Sequence, residues 1–186
     1  MSAPAPHPVE VAVRGWLETI VIGLNLCPFA GHPFRNGRIR IVVSEAATDI
    51  DLLTELQLEL TRLNETPARD LETTLIAIPK MLADFADYND FLDQVDALLD
   101  QYEWTGEFQV ASFHPDYQFD GTLPTDAENF TNRSPVPLLH ILREDSVEAA
   151  IDAHPDPDGI PAENIRKMKA MTLAERRALF AFLKPG

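Results

Sequence analysis

The chain has 186 residues, 45% of them hydrophobic, with a formal net charge of −15 and a single cysteine. That length suits one core rather than two, and the apolar content excludes disorder over most of the chain. One cysteine excludes an internal disulfide framework. The acidic balance excludes nucleic acid or anionic lipid as the main partner, because both require a positive footprint.

The charge is uneven: residues 1–43 balance to +2, residues 44–103 to −12 and residues 104–186 to −5. The opening MSAPAPHPVE lacks the basic and apolar regions of a secretory signal, which implies a cytoplasmic protein. The apolar run Thr19 to Leu26 is far short of the ~20 residues that a membrane span needs. Residues 1–8 are expected to be a flexible, Pro-rich segment and residues 9–186 one globular domain.

Val9, Val13, Trp16, Leu17, Ile20 and Leu24 recur at helical steps, so a helix is expected over 9–24, with Asn25 and Pro28 as the stop. Arg38 to Val43 alternates, with Ile39, Ile41 and Val43 on one side and the arginines on the other, the pattern of a half-buried strand. Helical spacing returns over 49–63, and Thr73 to Ile78 reads as a buried strand stopped by Pro79. Residues 84–102 form the clearest helix, with Phe85, Tyr88, Phe91, Val95 and Leu99 on one arc and Asp87, Asp90, Asp93, Asp96 and Asp100 opposite. That aspartate series is a solvated face. Strands follow over 107–113 and 137–142, then a helix over 145–153, one from about Ala162 and one from Thr172, where Glu175 has capping-box spacing. The order predicts an α/β domain, with α+β as the variant: a small sheet of about four strands covered by helices, with a helical C-terminal tail.

His114 to Pro137 has no periodicity, and a loop of this length inside a compact domain usually carries function. Tyr117, Phe119 and Phe130 would pin it to the body. His114 stands at the end of one strand, His140 lies within the next, and Arg143 and Glu144 close it. Such residues supply a proton carrier, an anion clamp and a carboxylate. His140 also shares a face with Leu138 and Leu142, the setting of a core histidine. Cys27 sits just past a helix C-terminus, where the dipole opposes thiolate formation, so activation needs a cation from elsewhere. Cys27, His32, His114 and His140 are possible metal ligands, but their spacing is diffuse and no metal site is assigned. No phosphate-binding glycine pattern or nucleophile elbow specifies a cofactor.

Several segments together resemble a known family. They are GLNLCPFA at Gly23–Ala30, VVSEA at Val42–Ala46, ETTL at Glu72–Leu75 and NDFL at Asn89–Leu92. QVASFHPDYQF at Gln109–Phe119, TNRSPVPLLHILRE at Thr131–Glu144 and AHPDP at Ala153–Pro157 continue the series. The chain resembles the uncharacterised proteins grouped as domain of unknown function 1415. The resemblance implies no activity or cofactor, only that Cys27, His114, Arg133, His140, Arg143 and Glu144 fall within its blocks.

The expected function is a small-molecule enzyme with a pocket roofed by the 114–137 loop. Cys27, His114, His140 and Glu144 would be catalytic, and Arg133, Arg143 and Tyr117 would hold an anionic substrate. The alternatives are a metal-binding protein using Cys27 and the histidines, and an acidic module that binds a basic protein through residues 87–100.

Overall fold

A computed structural model describes residues 5–183. Part of the expected flexible segment 1–8 and the last three residues lie outside them. The helix α1 (Pro8–Trp16) starts at the proline suited to a first turn, with the His7 side chain accepting from the Val9 amide. It continues as a π-helical stretch, Leu17–Ile22, rather than as a regular helix to residue 24. The i→i−5 bonds Gly23 N to Glu18 O (3.0 Å) and Leu26 N to Val21 O (2.8 Å) widen the turn, and Leu17, Ile20 and Val21 all face inward. Asn25, at φ 51°, turns the chain out.

A short α2 (Gly31–Arg35), too short to show a helical period in sequence, leads to β1 (Ile39–Val43). There follow α3 (Asp49–Glu65), β2 (Thr73–Ala77), α4 (Phe85–Gln101) and β3 (Phe108–Phe113). Beyond the long loop, which contains the 3₁₀ turn Ala127–Asn132, come β4 (Leu138–Arg143), α5 (Glu144–Ala153), α6 (Ile160–Ala170) and α7 (Leu173–Leu179). Thr48 and Asp84 cap α3 and α4 through their side chains, and Thr172 with Glu175 closes the expected capping box on α7. This is an α/β fold with a four-stranded sheet.

The sheet order is β1-β2-β4-β3. The β1–β2 pair is parallel, the crossover being α3, and β4 runs antiparallel to both its neighbours. β2 is buried along its whole length, so its five residues are apolar or β-branched on both faces. One face carries Ile76, Ile78, Leu139 and Ile141 against Leu52, Leu56, Leu60 and Leu63 of α3 and Tyr88, Phe91 and Val95 of α4. The other carries Leu75, Ala77 and Leu138 against Val13, Trp16 and Ile20, with Met168 of α6 and Phe180 after α7. Leu52, Leu56, Leu60 and Leu63 are each fully buried, and each contributes ~1.5–3 kcal/mol of transfer free energy. No helix among the described residues is long and apolar enough to cross a membrane.

Candidate functional site

The loop from His114 to Pro137 is held by side chains that reach its own backbone. Asn129 is its hub: Oδ1 accepts from the Phe119 amide (2.9 Å) and from Thr122 Oγ1 (2.9 Å), while Nδ2 donates to Leu123 O (2.7 Å). The residue is fully buried, which makes each of those bonds costly to lose. Arg133 reaches back to Tyr117 O and to Pro124 O (2.6 Å), with its guanidinium 4.4 Å from the centre of the Phe130 ring. Trp16 Nε1 donates to Arg133 O at 2.9 Å and so ties the loop to α1.

His114 is fully buried. Asp116 N donates to its Nδ1 (2.9 Å), which leaves the proton on Nε2, 3.0 Å from Leu82 O. Burial, the main cause, lowers the pKa of this imidazole. His140 lies opposite Leu75 on β2, and its Nε2 is 2.8 Å from Thr73 Oγ1, which itself donates to Ile141 O. With the Thr73 hydroxyl proton so committed, Nε2 of His140 is the donor. Burial pushes its imidazole down to about 4. Arg143 turns Nη2 to three carbonyls, Leu63 O (2.7 Å), Thr66 O (2.6 Å) and Leu71 O (3.0 Å), at and beyond the C-terminus of α3. There its charge meets the negative end of the helix dipole. Glu144 opens α5, with its amide donating to Glu107 O. The Tyr117 ring packs between Phe85 and Phe119.

Cys27 has a different setting. A half-open cavity of about 550 Å³ lies between the end of the π-helical stretch, the loop and α6. Val21, Leu26, Cys27, Phe113 and Phe119 form one part of its lining, Thr122, Glu128, Thr131 and Asn132 another, and Ile160, Pro161, Asn164 and Ile165 of α6 the third. The volume is within the ~300–1,000 Å³ range of small-molecule sites, and the lining has their composition, apolar walls with a few polar groups. Asn164 Nδ2 donates to Leu26 O (2.7 Å) and Lys167 Nζ to Asn25 O (3.0 Å), so α6 is docked on the turn that carries Cys27. This bond fixes the Asn164 amide, and its Oδ1, with negligible exposure, has no hydrogen-bond partner among the described residues. Burial raises the Cys27 thiol above its ordinary range, opposed in part by the amides of Phe29 and Ala30.

Of the seven side chains expected at a site, the cavity wall therefore includes Cys27 alone. The α6 residues were not singled out in the sequence, where only a helix from about Ala162 was expected. Among the described residues, no three of His, Cys, Asp and Glu converge as metal ligands would. His32 points to Arg38 Nη2 at 2.6 Å. The five aspartates of α4 are all exposed.

No curated protein and no solved structure matches the chain. The family model described as "Protein of unknown function (DUF1415)" matches residues 8–178. The chain belongs to that family.

Proposed function

We propose that the protein binds a small, uncharged organic molecule in the cavity beside Cys27. The observation that carries this reading is the cavity itself: about 550 Å³, walled mainly by apolar side chains, with Thr122, Thr131, Asn132 and Asn164 as its neutral polar residues. An anionic ligand fits less well. Arg133 and Arg143 are turned to backbone carbonyls and neither lines the cavity, and the one charged residue in the lining is the carboxylate of Glu128, 3.6 Å from Lys169 Nζ.

Catalysis is a narrower form of the same reading, with Cys27 as the reacting group. Its thiol is raised rather than lowered, and the imidazoles of His114 and His140 hydrogen-bond to the protein's own backbone and to Thr73. Binding without turnover is thus the form supported best. The test is thermal denaturation with a panel of uncharged aromatic and aliphatic alcohols and amides, read together with alkylation of Cys27. Members of the panel that raise the melting temperature should slow alkylation, and Ile165→Trp, which fills the cavity, should abolish both effects. Stabilisation that survives Ile165→Trp, or leaves alkylation unchanged, would place the binding elsewhere.

A further inference from the structure

β1 is an edge strand, and its hydrogen-bonding register shows which of its groups are left over. Arg38 O accepts from Glu72 N (2.9 Å) and Ser44 N donates to Ala77 O (2.8 Å). With the parallel pairing of Arg40 to Thr74 and Val42 to Ile76, the even-numbered residues turn their amides and carbonyls to β2. Ile39, Ile41 and Val43 turn theirs outward, and none of these groups has a hydrogen-bond partner among the described residues outside the strand ladder.

This edge is the floor of a second, more open groove of about 430 Å³, walled by Glu10 and Arg14 of α1 on one side and Arg62 and Thr66 at the end of α3 on the other. Arg40 rises from the floor. The groove has three arginines in a chain whose net charge is −15. Glu59 is shared by Arg40 (2.9 Å) and Arg62 (3.6 Å) and Glu10 pairs with Arg14 (3.4 Å), so two carboxylates face three guanidiniums and leave one positive charge over, while Arg14 and Arg62 remain about half exposed.

The geometry points to a docking site for an extended acidic segment of a partner protein, added as a fifth strand outside β1. The backbone groups of Ile39, Ile41 and Val43 supply the ladder. Acidic side chains on the α3 side of the added strand meet Arg40 and Arg62, and one on the α1 side meets Arg14. A second copy of this chain fits less well. Pairing β1 with β1 would bring like arginines together and adds the repulsion of two strongly acidic molecules. This site is separate from the cavity at Cys27 and does not rest on the function proposed for it.

The test uses a short synthetic peptide alternating valine and glutamate, with one valine replaced by glutamate so that both faces of the added strand are acidic, its counterpart with lysine at every glutamate, and amide hydrogen exchange read residue by residue by NMR. The expected result is new protection at Ile39, Ile41 and Val43 with the glutamate peptide, none with the lysine peptide, and loss of the effect in Arg14→Glu/Arg62→Glu. Ile41→Pro removes one outward amide without touching the β2 ladder, and should also remove the effect while native exchange at Val42 is retained. Absence of protection overturns the proposal, as does equal protection by both peptides. Protection that grows with protein concentration and no peptide assigns the edge to a second copy and overturns it as well.

Discussion

The amide of Asp116 donates to Nδ1 of His114 at 2.9 Å, two residues back along the chain. That bond decides the tautomer, turns Nε2–H to Leu82 O, and makes the residue at the end of β3 a fastener for the segment that precedes α4. Leu82 sits at φ 57°, a left-handed conformation that is costly for leucine. The imidazole contact helps to hold it there.

A falling pH should therefore destabilise the protein through its histidines. Both folded-state pKa values are depressed relative to an unfolded histidine, so the unfolded chain binds more protons wherever the two differ. Stability is fully present above an unfolded pKa of ~6.5 and is lost as pH falls from there toward the His140 value of about 4. For His140 alone this shift corresponds to at most about 3 kcal/mol. Urea unfolding of the wild type and of His140→Gln at pH 7 and pH 5 measures it. An equal pH slope in both proteins would show that His140 contributes nothing.

Tyr88 should be sensitive to loss of one oxygen. Its hydroxyl donates to Leu138 O (2.6 Å) and accepts from Phe113 N (3.2 Å), bridging the end of the β3–β4 pair from inside the core. Burial raises its pKa, so the phenol stays neutral. Tyr88→Phe leaves a buried carbonyl and a partly buried amide without their bonds, at a cost of ~1–3 kcal/mol. Chemical denaturation gives the number, and exchange of the Phe113 amide should accelerate selectively.

Arg143→Ala should cost ~2–4 kcal/mol, because three carbonyls lose a charged donor. Arg143→Lys should recover part of this, since an ammonium keeps the charge but does not keep the planar fork. Equal destabilisation by both substitutions would mean that shape, not charge at the α3 terminus, is what matters.

Cys27 should behave as an unreactive thiol. Its raised pKa predicts alkylation by iodoacetamide at pH 8 at least ~10-fold slower than free cysteine, with the rate restored in urea. Mass spectrometry follows the adduct. A native rate equal to that of free cysteine would revive the nucleophile reading.

Much of the fold was legible because its periods are strong. Leu52, Leu56, Leu60 and Leu63 could face one way only on a helix, and the alternation of Ile39 and Ile41 with Arg40 could only be a half-buried strand. The π-helical stretch was not legible, because a one-residue widening leaves the apolar spacing almost unchanged. Nor was the strand order, since the pairing of Leu75 with His140 joins residues far apart in the chain. At the site, Cys27 and the loop drew attention by residue type and by length. The sequence could not tell whether a histidine nitrogen meets solvent or a carbonyl, and so it could not separate His114 as a fastener from His114 as a base. Asn164 carried no local signal at all, its role depending on Leu26, 138 residues earlier in the chain.

The central position of β4 has a consequence for how the chain is made. β2 and β3 are separated in the sheet by the strand that is synthesised after both. Until residues 138–143 have left the ribosome, β3 has no strand beside it, and β2 offers an unmatched inner edge of buried, β-branched residues. Such an edge is a template for pairing between nascent chains. A product ending before Leu138 is thus an aggregation hazard, whereas one that ends just after Arg143 already has every strand needed to close the sheet.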